Sequence, residues 1–253
     1  FVLINSDIEV TDNWIKPIIN LMETNSDIAA CQPKILSFHD RNKFEYAGAC
    51  GGFIDTLGYP FCRGRIFSDL EDDNNQYNDI TEVFWASGAC LFVRAKYFKQ
   101  VNGFDNDFFA HQEEIDLCWR LKNKGYKIMV NPNSAVFHVG AGTLNTSSPL
   151  KTYLNFRNNL FMLYKNLSVL KLIITILFRL PLDGIAALSF AKKENGLGHV
   201  FSILRAHLVF YVSIPLLSLK RKKIDQKKNL TGQKRFSILF KYYFLGIKKF
   251  SDL

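Results

Sequence analysis

Ala86-Ser87-Gly88-Ala89-Cys90 is followed by Gly103-Phe104-Asp105, by the acidic run Glu113-Glu114-Ile115-Asp116-Leu117-Cys118-Trp119-Arg120, and by His138. Upstream, the apolar Phe1 to Ile4 runs straight into Asn5-Ser6-Asp7. Strand-like apolar runs ending in polar or glycine-rich loops alternate with helical periods, which predicts an α/β domain with its ligands at strand ends. Acidic groups and a histidine drawn from separated loops suit a divalent cation holding a diphosphate, because the ion neutralises charge that builds on a leaving group.

Working outward, Thr11-Asp12-Asn13 offers a cap for a helix over Trp14 to Glu23, where Ile15, Ile18, Ile19 and Met22 recur at helical spacing. Ile28 to Leu36 reads as a strand, and residues 41–78, rich in glycine and acidic residues, as a loop insertion lining a site. A short helix over Ala95 to Val101 ends at Asn102-Gly103, and a second, His111 to Lys124, ends at Gly125. Tyr126 to Val130 forms a strand, Asn131-Pro132 breaks it, and Ala135 to Val139 resumes it. Phe1 opens inside a strand-like run, so an N-terminally truncated chain is expected.

Beyond about Leu150 the character changes. Tyr153 to Asn166 is amphipathic, while Val169 to Phe178 and His207 to Leu219 are strongly apolar yet fall short of the ~18–20 residues of a spanning helix. Lys171, Arg179, Asp183, Arg205 and His207 interrupt or flank them, and Pro181 and Pro215 are expected to kink them. The reading is interfacial or re-entrant helices, with a buried hairpin as the alternative. The expected organisation is therefore a catalytic half over 1–150 and a helical, membrane-associated region over 151–253.

A chain of 253 residues with 48% hydrophobic and 22% charged residues buries a core, so disorder is excluded as the default. Its net charge of +9 is concentrated after Lys220, where Asp225 is the one acid before Asp252. Such a tail suits anionic lipid headgroups or nucleic acid. Cys31, Cys50, Cys62, Cys90 and Cys118 show no metal-ligand spacing, so reduced, cytosol-facing thiols are expected.

Single residues carry less than their combination. Asp7 after a strand reaches a metal bridging two phosphates, or caps a turn. Glu113 and Asp116 share a helical face and Glu114 lies about 100° away; such crowding raises a pKa, as a general base needs, or merely complements the helix dipole. His138 at a strand end completes a metal site or is structural. Ser87, Gly88 and Ala89 allow close backbone approach to a ligand or pack tightly for structural reasons, and Trp85 stacks on a sugar or base or packs in the core. Arg157, one helical turn from Tyr153, clamps a diphosphate or decorates a surface.

The order strand, Asn-x-Asp, Ser-Gly-Ala, Gly-Phe-Asp-x-x-Phe-Phe, Glu-Glu-x-Asp-Leu-Cys-Trp-Arg, Gly-Tyr-Lys, Pro and His-x-Gly is far more specific. It resembles family 2 inverting glycosyltransferases, in particular the bacterial rhamnosyltransferase-like branch that builds surface polysaccharide, from Phe1 to about Asn166. The resemblance implies a GT-A fold whose first strand-helix units would lie before Phe1, a nucleotide-diphosphate sugar donor, and Mg²⁺ or Mn²⁺. By position it implies Asp7 and His138 as metal ligands, with Asn5 where the family often has a second acid. Glu114 takes the place of the base that deprotonates the acceptor hydroxyl, with Asp116 as second choice. Glu113 stands beside it, Arg157 holds the leaving group, and Asp105 and Trp119 shape the acceptor side.

A glycan or polyprenyl-linked acceptor at the cytoplasmic face of the inner membrane fits the apolar and basic C-terminal third. A fragment without its nucleotide-binding start is expected to be inactive alone. The competing reading is a non-enzymatic basic protein binding a membrane surface or nucleic acid, favoured by Phe236, Phe240, Tyr242, Tyr243 and Phe244 among the basic residues. That reading leaves the acidic cluster unexplained, so no nucleic acid is expected as a partner.

Overall fold

The computed structural model describes residues 1–140, 148–192, 195–226 and 230–253. They fall into two compact units: Phe1–Gly103, Leu117–Gly140 and Asn229–Leu253 in the first, Phe104–Asp116 and Ala141–Lys228 in the second. In chain order the strands are β1 (Val2–Ile4), β2 (Ile8–Val10), β3 (Ile28–Ser37), β4 (Gly52–Ile54), β5 (Pro60–Cys62), β6 (Arg65–Ile66), β7 (Asp69–Leu70), β8 (Thr81–Val83), β9 (Cys90–Val93) and β10 (Lys127–His138). The helices are α1 (Lys16–Thr24), α2 (Ala95–Gln100), α3 (Glu113–Asn123), α4 (Pro149–Asn166), α5 (Val169–Phe190), α6 (Gly196–Arg221) and α7 (Ile238–Tyr243).

The first unit is built on a six-stranded mixed sheet in the order β1-β9-β3-β10-β2, with β8 also paired to β10. Its centre is the parallel pair β3 and β10. Residues 28–36 of β3 are buried throughout, as expected of a strand covered on both faces. By contrast β1, antiparallel to β9, leaves Val2 and Ile4 exposed, so the apolar run at Phe1 to Ile4 is an edge strand rather than a buried one.

The break expected at Asn131-Pro132 is a bulge within one continuous strand. Asn131 pairs with Pro33 and Ala135 with Lys34, so three residues of β10 loop out beside a proline that donates no ladder hydrogen bond. The looped residues are used: Asn131 Nδ2 donates to Pro17 O at 3.0 Å and Ser134 Oγ to Trp14 O at 2.5 Å, which docks the start of α1. That helix begins two residues later than the periodicity predicts. Its cap position is Ile15 with no side-chain cap, because Asn13 adopts φ +56° and Pro17 opens the first turn.

Residues 41–78, expected as loop, contain a four-stranded antiparallel sheet, β4-β5-β6-β7. Its strands are too short to show alternation in the sequence. The C-terminal segment packs here: Gly232 N–Cα geometry at φ +83° brings the chain so close to Phe84 that a Cβ would lie 2.4 Å from its backbone nitrogen. Lys234 N then donates to Ile54 O at 2.8 Å, Ile238 N to Asp55 Oδ2 at 2.9 Å, and the Phe250 ring lies 4.9 Å from Phe53. The boundary expected at 150/151 is thus crossed, since residues 230–253 group with the sheet unit.

In the second unit α4, α5 and α6 pack together, with Tyr153, Leu154 and Ala206 as its buried apolar cluster. The apolar runs extend further than the sequence suggests: α5 has 22 residues and α6 has 26, each long and apolar enough to cross a membrane. Pro181 and Pro215 lie inside these helices and end neither. Arg179, Asp183 and His207 do not interrupt them because they turn inward and pair: Arg179 Nε lies 3.2 Å from Asp183 Oδ1, and His207 Nε2 lies 3.0 Å from Asp183 Oδ2. The outward face is apolar, with Leu170, Leu188 and Val212 each at least 70% exposed.

Candidate active site

In the first unit, β1 ends at Asn5-Ser6-Asp7 and β10 ends at His138. Asn5 is exposed and tied by its backbone N–H to Ala89 O at 3.0 Å. Val139 N donates to Asp7 O at 3.0 Å, so the loop and the strand end are held together. The Asp7 carboxylate, a quarter exposed, lies 3.2 Å from His138 Nε2, and Glu45 Oε2 lies 3.1 Å from His138 Nδ1. Burial alone lowers the His138 pKa, but the two facing carboxylates outweigh it and raise it.

His138 thus lies between Glu45 and Asp7, each ring nitrogen facing a carboxylate that favours its charged form. Glu45 was missed because the loop that carries it has no motif. Among the described residues no group of three His, Cys, Asp or Glu side chains forms a cation cage. The Asp7 carboxylate is a hard oxygen donor at a strand end, of the kind that suits Mg²⁺ or Mn²⁺, and His138 Nε2 lies 3.2 Å from it.

Ser87, Gly88 and Ala89 lie on the loop before β9. Ser87 N donates to Gln32 Oε1 at 2.8 Å, and Ser87 Oγ both donates to Ala47 O and accepts from Ala89 N at 3.1 Å. Gly48, at φ +115°, leaves no room for a Cβ, which would sit 2.4 Å from Ser87 Cβ. The small residues thus serve a close backbone crossing. Trp85 is buried, donating Nε1 to Phe53 O at 3.0 Å, and Trp119 is buried with its ring edge-on to Phe84 at 5.0 Å. Neither indole is available to a sugar, so both are core residues.

In the second unit, the Gly-Phe-Asp segment and the start of α3 meet α4. Asp105 accepts from Lys165 Nζ at 2.6 Å and also from Lys220. Burial would raise its pKa, but the two lysines prevail and hold it at about 2. Asp116 is fully buried, paired with Lys165 Nζ at 2.9 Å and accepting from Asn166 Nδ2 at 3.0 Å. It is thereby withdrawn from the role of second-choice base. Arg157 Nη2 donates to the carbonyls of Asp107 at 2.8 Å and Phe108 at 3.0 Å, so its guanidinium holds a loop rather than waiting for a diphosphate.

Glu113 and Glu114 remain. Burial raises both carboxyls, and the neighbouring Glu113 charge adds to it at Glu114, whose pKa is pushed up to about 8. Glu113 Oε2 is buried without a hydrogen-bond partner. A carboxylate that holds its proton near neutrality is matched to taking one from a hydroxyl.

The chain belongs to glycosyl transferase family group 2, whose model matches residues 1–216. Family membership and the mixed sheet bear out the α/β, GT-A expectation, and the chain is a glycosyltransferase by family. It is 43% identical over 56 residues to N-acetylglucosaminyl-diphospho-decaprenol L-rhamnosyltransferase of Mycobacterium tuberculosis, 22% of this chain and 18% of that protein. Rhamnosyltransferase WbbL of Escherichia coli is 40% identical over 62 residues, 24% of this chain and 23% of that protein. Low-salt glycan biosynthesis hexosyltransferase Agl10 of Haloferax volcanii is 23% identical over 158 residues, 62% of this chain. The chain thus spans about a fifth of the rhamnosyltransferases it matches and 48% of Agl10. Among solved structures, GalNAc-T7 with UDP, GalNAc and Mn²⁺ is similar at TM-score 0.46 and 13% identity, over 65% of this chain and 31% of that one.

Proposed function

We propose that the protein transfers a hexose, with rhamnose the first candidate, from a nucleotide-diphosphate donor to a glycan or polyprenyl-linked acceptor, inverting the anomeric centre. The observation that carries this reading is Glu114: a carboxyl raised to about 8, in the paired-acid motif of a family 2 chain. Its carboxylate accepts the acceptor's hydroxyl proton as the oxygen attacks the anomeric carbon opposite the diphosphate. Within the first unit, Asp7 is the residue that would hold Mg²⁺ or Mn²⁺, and such an ion would supply charge neutralisation for a leaving diphosphate. His138, itself held by Glu45, orients the Asp7 carboxylate.

The acceptor partner rests on the relatives' printed names and on α5 and α6, whose paired charges face inward while leucines face outward. That arrangement suits a lipid surroundings, at the cytoplasmic face of the inner membrane, with the exposed Phe240, Tyr243 and Phe244 beside Lys248 and Lys249 meeting anionic headgroups.

The test is nucleoside-diphosphate release from UDP-, GDP- and dTDP-sugars by the full-length protein in membranes, with and without Mn²⁺, beside Glu114→Gln and Asp7→Asn. Release that needs Mn²⁺ and disappears in both variants supports the reading. Undiminished release by Glu114→Gln removes the base assignment, and no release from any donor by a folded protein removes the transferase reading for this chain.

A further inference from the structure

Gln112, two residues before Glu114, stands at one end of a line of hydrogen-bonded and ion-paired side chains that the transfer reading does not use. All of it lies within the second unit. His207 Nε2 meets Asp183 Oδ2 at 3.0 Å, and Asp183 Oδ1 meets Arg179 Nε at 3.2 Å. Arg179 Nη1 donates to Asn159 Oδ1, and Asn159 Nδ2 donates to Gln112 Oε1 at 2.9 Å. Gln112 Nε2 donates onward to Asn155 O at 3.0 Å. The line therefore runs from α6 through α5 and α4 to the residue immediately before Glu113-Glu114.

The end of that line is a strained turn. Phe109, His111 and Gln112 have φ of +64°, +67° and +67°, a region that L-residues enter at about 1–2 kcal/mol each. Such a turn persists only where its surroundings over-determine it. Asn158, fully buried, holds its main chain: Nδ2 lies 3.0 Å from Phe108 O and 2.7 Å from both Ala110 O and His111 O. Gln112 holds its exit, since its carbonyl accepts from Asp116 N at 3.0 Å and begins α3. The Gln112 side chain thus sets the direction in which the first turn of α3 leaves, and with it where Glu114 points.

Helix cohesion alone does not require this route. A buried ion pair between α5 and α6 would be complete with Arg179, Asp183 and His207, and replacing such pairs by apolar residues is often neutral. Here the Arg179 guanidinium has a further arm, and that arm leads to Gln112.

We infer that Arg179, acting through Asn159 and Gln112, is a positioning residue for Glu114, so that the seating of α5 against α6 governs whether the base is aimed. The inference rests on Glu114 being the base. It makes transfer depend on the state of the apolar helices, and hence on the bilayer that holds them.

The experiment compares Gln112→Met, Asn159→Asp and Arg179→Lys with wild type and Glu114→Gln, full-length and in membranes, by nucleoside-diphosphate release across pH. Gln112→Met leaves every membrane-facing helix untouched and keeps the side-chain length. Asn159→Asp still accepts from Arg179 but removes the Nδ2 donor from which Gln112 Oε1 accepts, and sets a carboxylate oxygen against that oxygen. Both variants are expected to lose about 10²-fold in kcat with donor KM unchanged. Their acid limb of activity is expected to move down by about one pH unit, because water entering the loosened turn relieves the burial of Glu114. Arg179→Lys retains a donor and is expected to fall between them and wild type.

An unmoved acid limb in Gln112→Met and Asn159→Asp, with kcat falling only as the folded fraction falls, overturns the positioning role. Full activity in Glu114→Gln overturns the base assignment instead, so the two failures are distinct.

Discussion

Replacing Lys165 by Met removes the cation on which two acidic motifs of the second unit converge. Lys165 Nζ lies 2.6 Å from Asp105 Oδ2 and 2.9 Å from Asp116 Oδ2, with its side chain 2% exposed. Methionine keeps the aliphatic stem against Phe108 and deletes the charge. Breaking a buried pair by removing one partner destabilises by about 3–5 kcal/mol. Asn166 still serves Asp116 and Lys220 still serves Asp105, so the lower end, about 3 kcal/mol, is expected. In a protein of this size that corresponds to a fall in Tm of about 10 °C, read by thermal unfolding in detergent micelles.

Adding Asp116→Asn deletes the buried charge as well and should recover a large part of the loss. The pH dependence has a defined sign. Burial alone would raise Asp105, the lysines hold it at about 2 against an ordinary 3.8, and its contribution is therefore present above about pH 4 and lost as pH falls towards 2. At about 1.4 kcal/mol per pH unit this amounts to about 2 kcal/mol, so the gap between wild type and Lys165→Met should narrow over that window. A Lys165→Met protein that melts with the wild type at pH 7 would refute the reasoning, since no buried charge would then have lost its partner.

Trp85→Phe should lose about 1–2 kcal/mol by leaving Phe53 O without its donor, while donor KM stays unchanged; a raised KM at unaltered stability would restore a stacking role. Gly232→Ala places a Cβ 2.4 Å from Phe84 N at φ +83°, so the C-terminal segment should detach and tryptic cleavage near Lys234 and Arg235 should accelerate without loss of the rest of the fold. All five cysteines are buried and burial pushes the Cys90 thiol up to about 12, so thiol reagents should label the native protein only as fast as it opens, and equal labelling rates in native and denatured protein would contradict that.

The parts of the fold legible in the sequence are those written in local pattern. The strand at Ile28, the short helix at Ala95 and the helix carrying Glu113 and Glu114 follow from runs, periods and glycine stops within ten or so residues, and the structure places them within one or two residues of expectation. The order of the motifs likewise points to the family, because each motif is contiguous. The small strands of β4 to β7 were not legible, since two or three residues carry no period and their pairing is decided by neighbours far away in sequence. The helices α5 and α6 were underestimated for a related reason: Arg179, Asp183 and His207 read as interruptions until their pairing across two helices is known.

The same division runs through the candidate site. Composition and spacing by themselves establish a chain with a buried α/β core, an acid-rich helix start at Glu113-Glu114 and carboxylates at strand ends, because side-chain chemistry and short-range periodicity are local properties. Which of those groups remains available is a property of the packed state. Asp116 and Asp105 are neutralised by Lys165 from 49 and 60 residues away, Arg157 is spent on the carbonyls of a distant loop, and His138 is enclosed by Glu45 and Asp7. Glu113 and Glu114 are left half-buried side by side, both carboxyls raised by desolvation and Glu114 further by its neighbour, and effects of that kind exist only once the chain has folded.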